Sequence, residues 1–373
     1  MTPPQPSPGR TVFIDVDPLS EKHLTGIGRY TARVALALAK VGARVRFVAG
    51  DDEVFAPTGH DWSQDQDLAR WARRVWRGRR LPLDKVDVPA DCLALYGCAR
   101  GPTRRFPFEV SAVQDFTPLI VPWTHTAKTR AEFQTFFARD LLRSDAAITG
   151  SHATKADARW LCDFDPAKIV VAPYGPSLCV ERHLHPAPVE RLPRVGLAVS
   201  TLEPRKNAFF LLDWFRESEA VSEGSELWWV GPFGWLTSRR KLRAYRGLKG
   251  RKVRFLGVVS DAELCRLYQT AGWTAYPSLY EGFGFPVLDA LRHGAPVLSS
   301  GHSSLRELNH PGVSFFDPYD AATVDDAYRA CQAAGGASSV VPRADLDARY
   351  DWGAFARTVL ALGAAGGRAA LAA

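Results

Sequence analysis

"YEGFGFPVLDALRHG", residues 280–294, is the stretch of this sequence that says most about the fold. It puts an acid, Glu281, on a glycine-containing loop and follows it at once with the apolar pattern of a helix. Pro286 suits the first turn of a helix, where its missing N–H needs no partner. The first amide N–H groups of such a helix have no partner within it and attract anions. The stretch therefore predicts a helix that begins at about Pro286, and a loop whose amides suit a phosphate.

The two acids of this stretch suit the hydroxyl groups of the same ligand. Glu281 is expected at the mouth of the loop and Asp289 about one turn inside the helix. A carboxylate accepts two hydrogen bonds, so each acid can hold a sugar or a ribose through its hydroxyls. The alternative is that both acids only cap the helix and favour its dipole, and the pattern alone leaves both interpretations open.

A second stretch, "STLEPRKN" at 200–207, supplies positive charge. Arg205 and Lys206 are adjacent cations at the C-terminal end of a predicted strand, directly before a predicted helix. A diphosphate needs cations at such a position, because charge-assisted bonds to phosphate are among the strongest available. The alternative is a solvated charge pair, but the dipole slightly disfavours cations at the start of a helix. That misfit favours a phosphate-binding role.

The remaining sequence alternates between strand and helix patterns. "TVFID" (11–15) reads as a buried strand, followed by a glycine turn, an apolar helical pattern and a second strand at 43–50. Such alternation implies a parallel sheet, and the pattern restarts after a Pro-rich stretch. We therefore predict an α/β protein with two Rossmann-like, doubly wound domains that face a cleft, with ligands at the C-terminal ends of strands. The predicted boundaries are an N-terminal domain at 11–175, a linker at 176–193 and a C-terminal domain at 194–349.

Composition is that of a globular protein, with 46% hydrophobic residues, 23% charged residues and a net charge of +7. The charge favours anionic partners but does not choose among phosphates, lipid surfaces and nucleic acid. No apolar run approaches the roughly 18 residues of a spanning helix, and the Pro-rich N-terminus lacks a secretory signal. Six scattered cysteines without metal-ligand spacing indicate reduced thiols. We expect a cytoplasmic protein.

With these stretches in view, the chain resembles the group 1 glycosyltransferases, also called glycosyltransferase family 4, which have the GT-B fold. The similarity covers most of residues 11–360 and is densest over 196–320. The final segment, 350–373, contains "YDWGAFARTVLAL", which resembles the family helix that crosses back onto the N-terminal domain. The blocks that match in order include "TGIGRYT", "SDAAITGSHATKAD", "KIVVAPYG", "STLEPRKN", "VRFLGVVSDAELCRLYQTA" and "YPSLYEGFGFPVLDALRHGAPVLSS".

The resemblance implies an enzyme that transfers a sugar from a nucleotide diphosphate donor to a hydroxyl group and retains the anomeric configuration. Mannose from GDP-mannose, or another hexose, is the expected donor sugar. A glycan or lipid-linked oligosaccharide of bacterial surface polysaccharide synthesis is the expected acceptor. Nucleic acid is not an expected partner. The C-terminal domain is expected to hold the nucleotide sugar, and the N-terminal domain to lie on the acceptor side.

The resemblance also assigns roles to residues, position by position. Glu281 takes the first acid of the family E-x7-E pattern, on the donor sugar, and Asp289 takes the second, on the ribose. Lys206 takes the family lysine on the diphosphate, and Arg205 is assigned beside it. These three charged side chains, Glu281, Arg205 and Lys206, form the expected catalytic group. The other expected donor contacts are Gly26, Gly28, Gln114, Gly282, Phe283, Gly284 and Phe285, and Asp115 and Arg29 are expected on the acceptor side.

Three positions depart from the family pattern. Asp289 is one methylene shorter than the usual Glu, which loosens the ribose contact or indicates another nucleoside. Thr201 stands where the family has its diphosphate arginine. Gln114 and Asp115 replace a His-Asp pair, and Gln114 can bond a sugar hydroxyl but cannot titrate near neutral pH. A histidine acid or base at that position is therefore excluded.

No metal or other cofactor is expected. The acid-x-acid strings that could hold a metal lie away from the two quoted blocks and read as surface or turn acids. Fixed positive charge from Arg205 and Lys206 can stabilise the departing diphosphate instead. The strings are "DVD" at 15–17 and 86–88, "DQD" at 65–67, "ESE" at 217–219 and "DLD" at 345–347.

"LARWARRVWRGRR" (68–80) predicts a helix with an apolar stripe that includes Trp71 and an arginine face. Such a helix is typical of an anionic membrane surface, so peripheral attachment to the inner membrane is expected. Packing of the stripe inside the domain explains the pattern equally well. Two other functions stay open: a GT-B sugar-nucleotide epimerase, and a non-enzymatic binder of anionic surfaces.

Overall fold

The computed structural model describes residues 9–21, 24–55, 68–97, 100–134, 138–177, 190–238, 245, 247–248, 250–336 and 343–364. The chain divides into two compact units. The first unit comprises residues 1–115, 132–177 and 350–373, and the second comprises 116–131 and 178–349. Residues 116–131 thus group with the second unit, which the sequence pattern did not indicate. Most of the predicted linker, 178–189, lies outside the described residues, as do the first eight residues and "DQD" at 65–67.

The first unit contains an eight-stranded sheet with the order β4-β3-β2-β1-β5-β6-β7-β8. Neighbouring strands are parallel except for the β2–β3 and β3–β4 pairs, which are antiparallel. The strands are β1 (Thr11–Asp15), β2 (Arg44–Ala49), β3 (Asp52–Phe55), β4 (Arg79–Pro82), β5 (Leu93–Tyr96), β6 (Phe108–Val113), β7 (Ala146–Thr149) and β8 (Ile169–Val171).

The second unit contains a seven-stranded sheet with the order β11-β12-β10-β9-β13-β14-β15. Its strands are parallel apart from the short β11, which pairs antiparallel with β12. The central strand β9 lies between β10 and β13. The strands are β9 (Leu192–Val199), β10 (Glu226–Val230), β11 (Gly247–Leu248), β12 (Arg251–Gly257), β13 (Ala271–Tyr276), β14 (Val297–Ser300) and β15 (Val313–Phe316).

Helices connect the strands in both units, as the β/α alternation predicts. The α-helices are α1 (Gly26–Lys40), α2 (Leu68–Trp76), α3 (Thr117–Ile120), α4 (Ala127–Glu132), α5 (Ala138–Leu142), α6 (His152–Cys162), α7 (Ala208–Glu217), α8 (Asp261–Thr270), α9 (Phe285–Arg292), α10 (Ala322–Gly336), α11 (Arg343–Arg349) and α12 (Trp352–Ala364). Short 3-10 helices span Asp17–Leu19, Leu83–Lys85, Pro122–Thr124, Pro166–Lys168, Pro204–Lys206 and Ser303–Glu307.

Each unit has its own apolar core. In the second unit, Trp273 of β13 is buried against Trp214 of α7 and Tyr328 of α10, with ring centroids 6.2 and 5.1 Å away. A side chain at Gly196 in β9 would meet the Trp273 ring at 2.3 Å, so this position must be glycine. In the first unit, α12 packs on α1, where the Trp352 ring lies 5.9 Å from that of Tyr30.

Helix α2 buries the apolar stripe that the sequence analysis singled out. Leu68, Trp71, Ala72 and Val75 lie in the core of the first unit, and Trp71 is only 1% exposed. The arginines of α2 lie on the outer face. A membrane contact through this helix would therefore rest on arginine charge and not on insertion of Trp71. Among the helices that the structure describes, none is long and apolar enough to cross a bilayer.

Candidate active site

The two stretches that carry the sequence-based hypothesis meet in the second unit. Strands β9 and β13 are parallel neighbours, so the loops after them leave the same edge of the sheet. The backbone N–H of Leu279 donates to the carbonyl oxygen of Arg205 at 2.9 Å and joins the two loops. This edge is where ligands bind in open α/β sheets.

Glu281 lies between the two predicted cations. Lys206 Nζ donates to Glu281 Oε1 at 2.6 Å, and Arg205 Nη1 donates to Glu281 Oε2 at 2.7 Å. The side chains of Lys206, Arg205 and Glu281 are 12%, 13% and 8% exposed. The structure therefore brings the expected catalytic group together. It also buries Glu281, which the sequence placed at the mouth of its loop.

Two further side chains that the sequence analysis did not assign complete this cluster. Glu203 is 3% exposed, and its Oε1 accepts from Arg205 Nη2 at 3.1 Å. Tyr276, at the end of β13, accepts from Lys206 Nζ at 3.1 Å through its hydroxyl. Glu203 lies two residues before Arg205, and that proximity was the signal available for it. Tyr276 lies 70 residues from Lys206, so only the pairing of β9 with β13 brings it to the cations. We call Glu203, Arg205, Lys206, Tyr276 and Glu281 the cation cluster.

The electrostatics of the cation cluster follow from burial and charge together. Burial alone raises the pKa of Glu281, but the charges of Arg205 and Lys206 outweigh it and lower the pKa to about 2. Burial and the neighbouring charge of Arg205 lower the pKa of Lys206, against the opposing effect of Glu281 and Glu203. Burial raises the pKa of Glu203. Glu281 is thus held ionised, while Lys206 shares that acid with a second cation.

The loop that carries Glu281 is braced by the segment after β14. Ser303 Oγ accepts from the backbone N–H of Glu281 at 2.9 Å, and Ser304 Oγ donates to its carbonyl oxygen at 2.8 Å. Gly284 has a φ of +110°, and a side chain there would meet Leu305 at 2.6 Å. Glycine at 284 is therefore required by backbone conformation and packing, whatever its predicted contact with a donor.

Helix α9 begins where the sequence predicts. It spans Phe285–Arg292 with Pro286 in its first turn. The rings of Phe283 and Phe285 lie 5.2 Å apart, and Phe283 is 7% exposed, so both aromatic side chains of the loop pack onto the protein. Asp289 is 2% exposed, one turn inside the helix. Its assignment to the ribose stays a prediction, as does the backbone contact of Gly282 with the donor.

Gly26 and Gly28, the two glycines of the first unit that are predicted to contact the donor, differ in the space around them. Both lie in the first turn of α1, where Thr25 caps the helix and its Oγ1 accepts from the N–H of Gly28 at 3.4 Å. A side chain at Gly28 would meet the carbonyl oxygen of Pro18 at 2.9 Å, so packing requires this glycine. A side chain at Gly26 would meet nothing within 4 Å. Only Gly26 thus leaves open space at the start of the helix, and Arg29 follows in the same turn.

Gln114 and Asp115 follow β6 at the C-terminal edge of the first sheet, and both are half-buried. Gln114 Nε2 donates to the carbonyl oxygen of Gly97, just after β5, at 3.3 Å. Asp15 ends β1 at the same edge and is 6% exposed. Burial, with the charge of Asp17, raises the pKa of Asp15 to about 7. The prediction of surface or turn acids at 15–17 is therefore wrong for Asp15.

Metal-binding clusters and thiols are two further sources of chemistry. Within the described ranges, no group of three or more His, Cys, Asp and Glu side chains is placed to hold a metal ion. Four cysteines are buried thiols: Cys92, Cys162, Cys265 and Cys331. Cys98 and Cys179 lie outside the described residues.

Part of the chain is similar in sequence to known glycosyltransferases. Residues 189–330 match the family model of the glycosyl transferases group 1. The O-antigen chain mannosyltransferase B of Escherichia coli is 31% identical over 209 residues, which cover 51% of this chain and 54% of that protein. The phosphatidyl-myo-inositol mannosyltransferase of Mycobacterium leprae is 27% identical over 259 residues, which cover 65% of this chain and 66% of that protein. The match thus spans about half the length of the E. coli relative.

Solved structures give the class of fold. Sucrose-phosphate synthase of Thermosynechococcus elongatus has a TM-score of 0.65 at 17% identity, with 94% of this chain and 97% of that chain covered. HepE of Anabaena, in complex with UDP-glucose, has a TM-score of 0.61 at 16% identity, with 94% of this chain and 98% of that chain covered. With its two mainly parallel sheets, the protein has the GT-B fold. The likeness to the group 1 glycosyltransferases at the level of sequence lies in residues 189–330.

Proposed function

We propose that this protein is a retaining glycosyltransferase that moves a hexose from a nucleoside diphosphate to a hydroxyl group of a glycan or lipid-linked oligosaccharide. The observation that carries the proposal is the placement of Arg205 and Lys206 around Glu281 at the adjoining ends of β9 and β13. Cations at this edge suit a diphosphate, and a carboxylate held ionised beside them suits the hydroxyl groups of a sugar.

The chemistry asked of these residues is stabilisation of charge. As the bond from the anomeric carbon to the phosphate oxygen breaks, negative charge grows on the departing diphosphate. Lys206 and Arg205 are fixed before the reaction and supply positive potential there without a metal ion. Glu281 accepts hydrogen bonds from the donor sugar and holds it against the acceptor.

Retention follows if the acceptor hydroxyl attacks from the face that the diphosphate leaves. The new bond joins the acceptor oxygen to the anomeric carbon, and the hydroxyl proton passes to the departing phosphate oxygen. No protein nucleophile is needed, and Gln114 contributes a hydrogen bond to the sugar and no proton. In this scheme the protein orients two substrates and stabilises the leaving group.

The relatives favour mannose as the sugar, since the E. coli and M. leprae proteins are named as mannosyltransferases. GDP-mannose is therefore the proposed donor, with UDP-glucose as the competitor that the HepE complex suggests. The name of the E. coli relative favours an O-antigen-like glycan as acceptor. We place the protein in the cytoplasm, at the inner face of the membrane, where the arginines of α2 would meet anionic lipid.

Thermal shift with a panel of nucleotide sugars identifies the donor, because a ligand that binds the folded state raises its apparent stability. Turnover is then measured with and without a mannose-terminated oligosaccharide, and NMR of the product gives the anomeric configuration. The proposal expects acceptor-dependent transfer with retention that persists in a chelator. Inversion, loss of all turnover in the chelator, or donor conversion that needs no acceptor would each contradict part of it.

A further inference from the structure

Tyr276 has no assigned role in sugar transfer, yet its uncharged hydroxyl contacts Lys206 inside the cation cluster. It is the last residue of β13 and is 4% exposed. Its hydroxyl oxygen lies 3.1 Å from Lys206 Nζ, and the centroid of its ring lies 5.3 Å from the same nitrogen. One side chain therefore holds the ammonium group both by a hydrogen bond and by the face of its ring.

The same hydroxyl interacts with the acid. Burial raises the pKa of Tyr276 well above its usual value, and the charge of Glu281 raises it further. The hydroxyl consequently keeps its proton across the physiological range. It accepts from Lys206 and keeps its own O–H as a donor, because a phenol has one O–H donor and free lone pairs. Tyr276 thus contacts the ammonium group of Lys206 directly, while the charge of Glu281 acts on the same hydroxyl.

The number of N–H donors on Lys206 decides how many of them remain for a ligand. An ammonium group has three N–H bonds and no acceptor. Glu281 Oε1 at 2.6 Å and the Tyr276 hydroxyl at 3.1 Å take two of those of Lys206. One N–H remains for a phosphate oxygen, and its direction is fixed by the other two. Without the hydroxyl, Lys206 could rotate about its pair with Glu281, and that direction would be lost.

We propose that Tyr276 is a positioning residue for the diphosphate of the donor, acting through Lys206 and Glu281. This inference rests on the proposed function, since it assigns the remaining N–H of Lys206 to a diphosphate. The charged groups that act on Lys206 are Arg205, Glu203 and Glu281, and the first two contact each other at 3.1 Å. None of these three groups replaces the hydrogen-bond acceptor that the Tyr276 hydroxyl supplies to Lys206.

The test is Tyr276→Phe, which keeps the ring and its packing and removes only the hydroxyl. Binding of GDP, UDP and inorganic pyrophosphate is measured by calorimetry on the full chain, below the unfolding midpoint of each variant. We expect the dissociation constant of the preferred nucleotide to rise about three- to tenfold, the effect of one hydrogen bond. The matched control is Tyr328→Phe, a buried tyrosine of the same unit whose hydroxyl contacts Gln332.

A pH profile separates positioning from a general loss of structure. Loss of the hydroxyl removes an acceptor from the ammonium of Lys206, so its pKa falls further. The alkaline decline of diphosphate affinity should therefore move to lower pH in Tyr276→Phe and stay in place in Tyr328→Phe. Unchanged affinity together with an unchanged profile would overturn the role of Tyr276 and leave the proposed function standing. A wild-type protein that binds none of the three diphosphate probes would overturn the proposed function itself.

Discussion

Each of the two units contains a buried cluster in which an acid contacts an arginine, with a tyrosine hydroxyl beside them. In the first unit, Glu109 of β6 pairs with Arg100, and both side chains are almost fully buried. Its Oε1 also accepts from the Tyr96 hydroxyl at 3.2 Å and from the backbone N–H of Arg105 and Phe106. In the second unit, the cation cluster likewise joins an acid, an arginine and a tyrosine, with a lysine added.

The difference between the two clusters lies in what remains for a ligand. Glu109 stands near the start of its strand, meets one cation, and has its lone pairs filled by its own chain. Glu281 follows the end of β13, meets two cations, and leaves both of them 12–13% exposed. A cluster that is saturated at the N-terminal side of a sheet stabilises the fold. A cluster whose cations stay partly exposed at the C-terminal edge is placed to bind an anion.

The largest expected effect is on the first cluster, in Arg100→Met. This change leaves the buried carboxylate of Glu109 without its cation, and breaking a buried pair in this way costs about 3–5 kcal/mol. Urea unfolding should show that loss of stability. The affinity of the folded variant for nucleoside diphosphate should match that of wild type. A loss of affinity in the folded variant would contradict a purely stabilising role of the first cluster.

Glu281→Gln should separate catalysis from binding in the second cluster. Transfer should fall by about 10²–10³, the effect of losing one preorganised polar contact in a transition state. The affinity for GDP should change much less than the transfer rate, because the amide oxygen can still accept from Lys206 while the charges of Arg205 and Lys206 are no longer neutralised by Glu281. The variant should also unfold more easily, because two buried cations lose their acid.

Transfer rates with the preferred donor and calorimetry with GDP check both halves of the Glu281→Gln prediction. Glu263→Gln is the matched control, since Glu263 forms an exposed pair with Arg266. A Glu281→Gln enzyme that transfers sugar at the wild-type rate would contradict the assignment of Glu281 to the donor sugar.

The fold and the contents of the cation cluster followed largely from sequence, for a physical reason. β/α alternation and a proline at a helix start are local patterns, and they placed α9 correctly over Phe285–Arg292. The pairing of Arg205 with Glu281, 76 residues apart in sequence, depends on β9 and β13 lying side by side. The burial of Glu281 depends on Ser303 and Ser304, and no local pattern reports such a contact.

In the first unit, too, local sequence does not report the burial of an acid. Asp15 ends the strand predicted at 11–15 and is expected there as a surface or turn acid, yet its side chain is buried at the edge of the first sheet. Burial depends on which strands flank β1, and here they are β2 and β5. Segment 116–131 is a second case, because its grouping with the second unit is a property of tertiary contacts alone.

A smaller effect is expected in the acid stability that Glu281 gives to the cation cluster. The folded-state pKa of Glu281 is about 2, below its usual value near 4.5. A depressed carboxylate stabilises the fold above the unfolded pKa, and that stability is lost as pH falls from about 4.5 toward 2. Unfolding midpoints measured from pH 6 to pH 2 should therefore fall more steeply in wild type than in Glu281→Gln. Parallel curves would show that Glu281 does not carry this dependence.

The central claim is that the cation cluster binds the diphosphate of the donor, and Lys206→Ala tests it most directly. Calorimetry and the ³¹P spectrum of bound GDP are compared between wild type, Lys206→Ala, Arg205→Ala and Lys155→Ala, a lysine of the first unit.

Loss of one charge-assisted bond should weaken GDP binding about ten- to a hundredfold in Lys206→Ala, with a smaller loss in Arg205→Ala. The β-phosphorus signal should shift in both variants, while Lys155→Ala stays like wild type. Equal affinities and identical phosphorus signals in all four proteins would show that the diphosphate binds elsewhere.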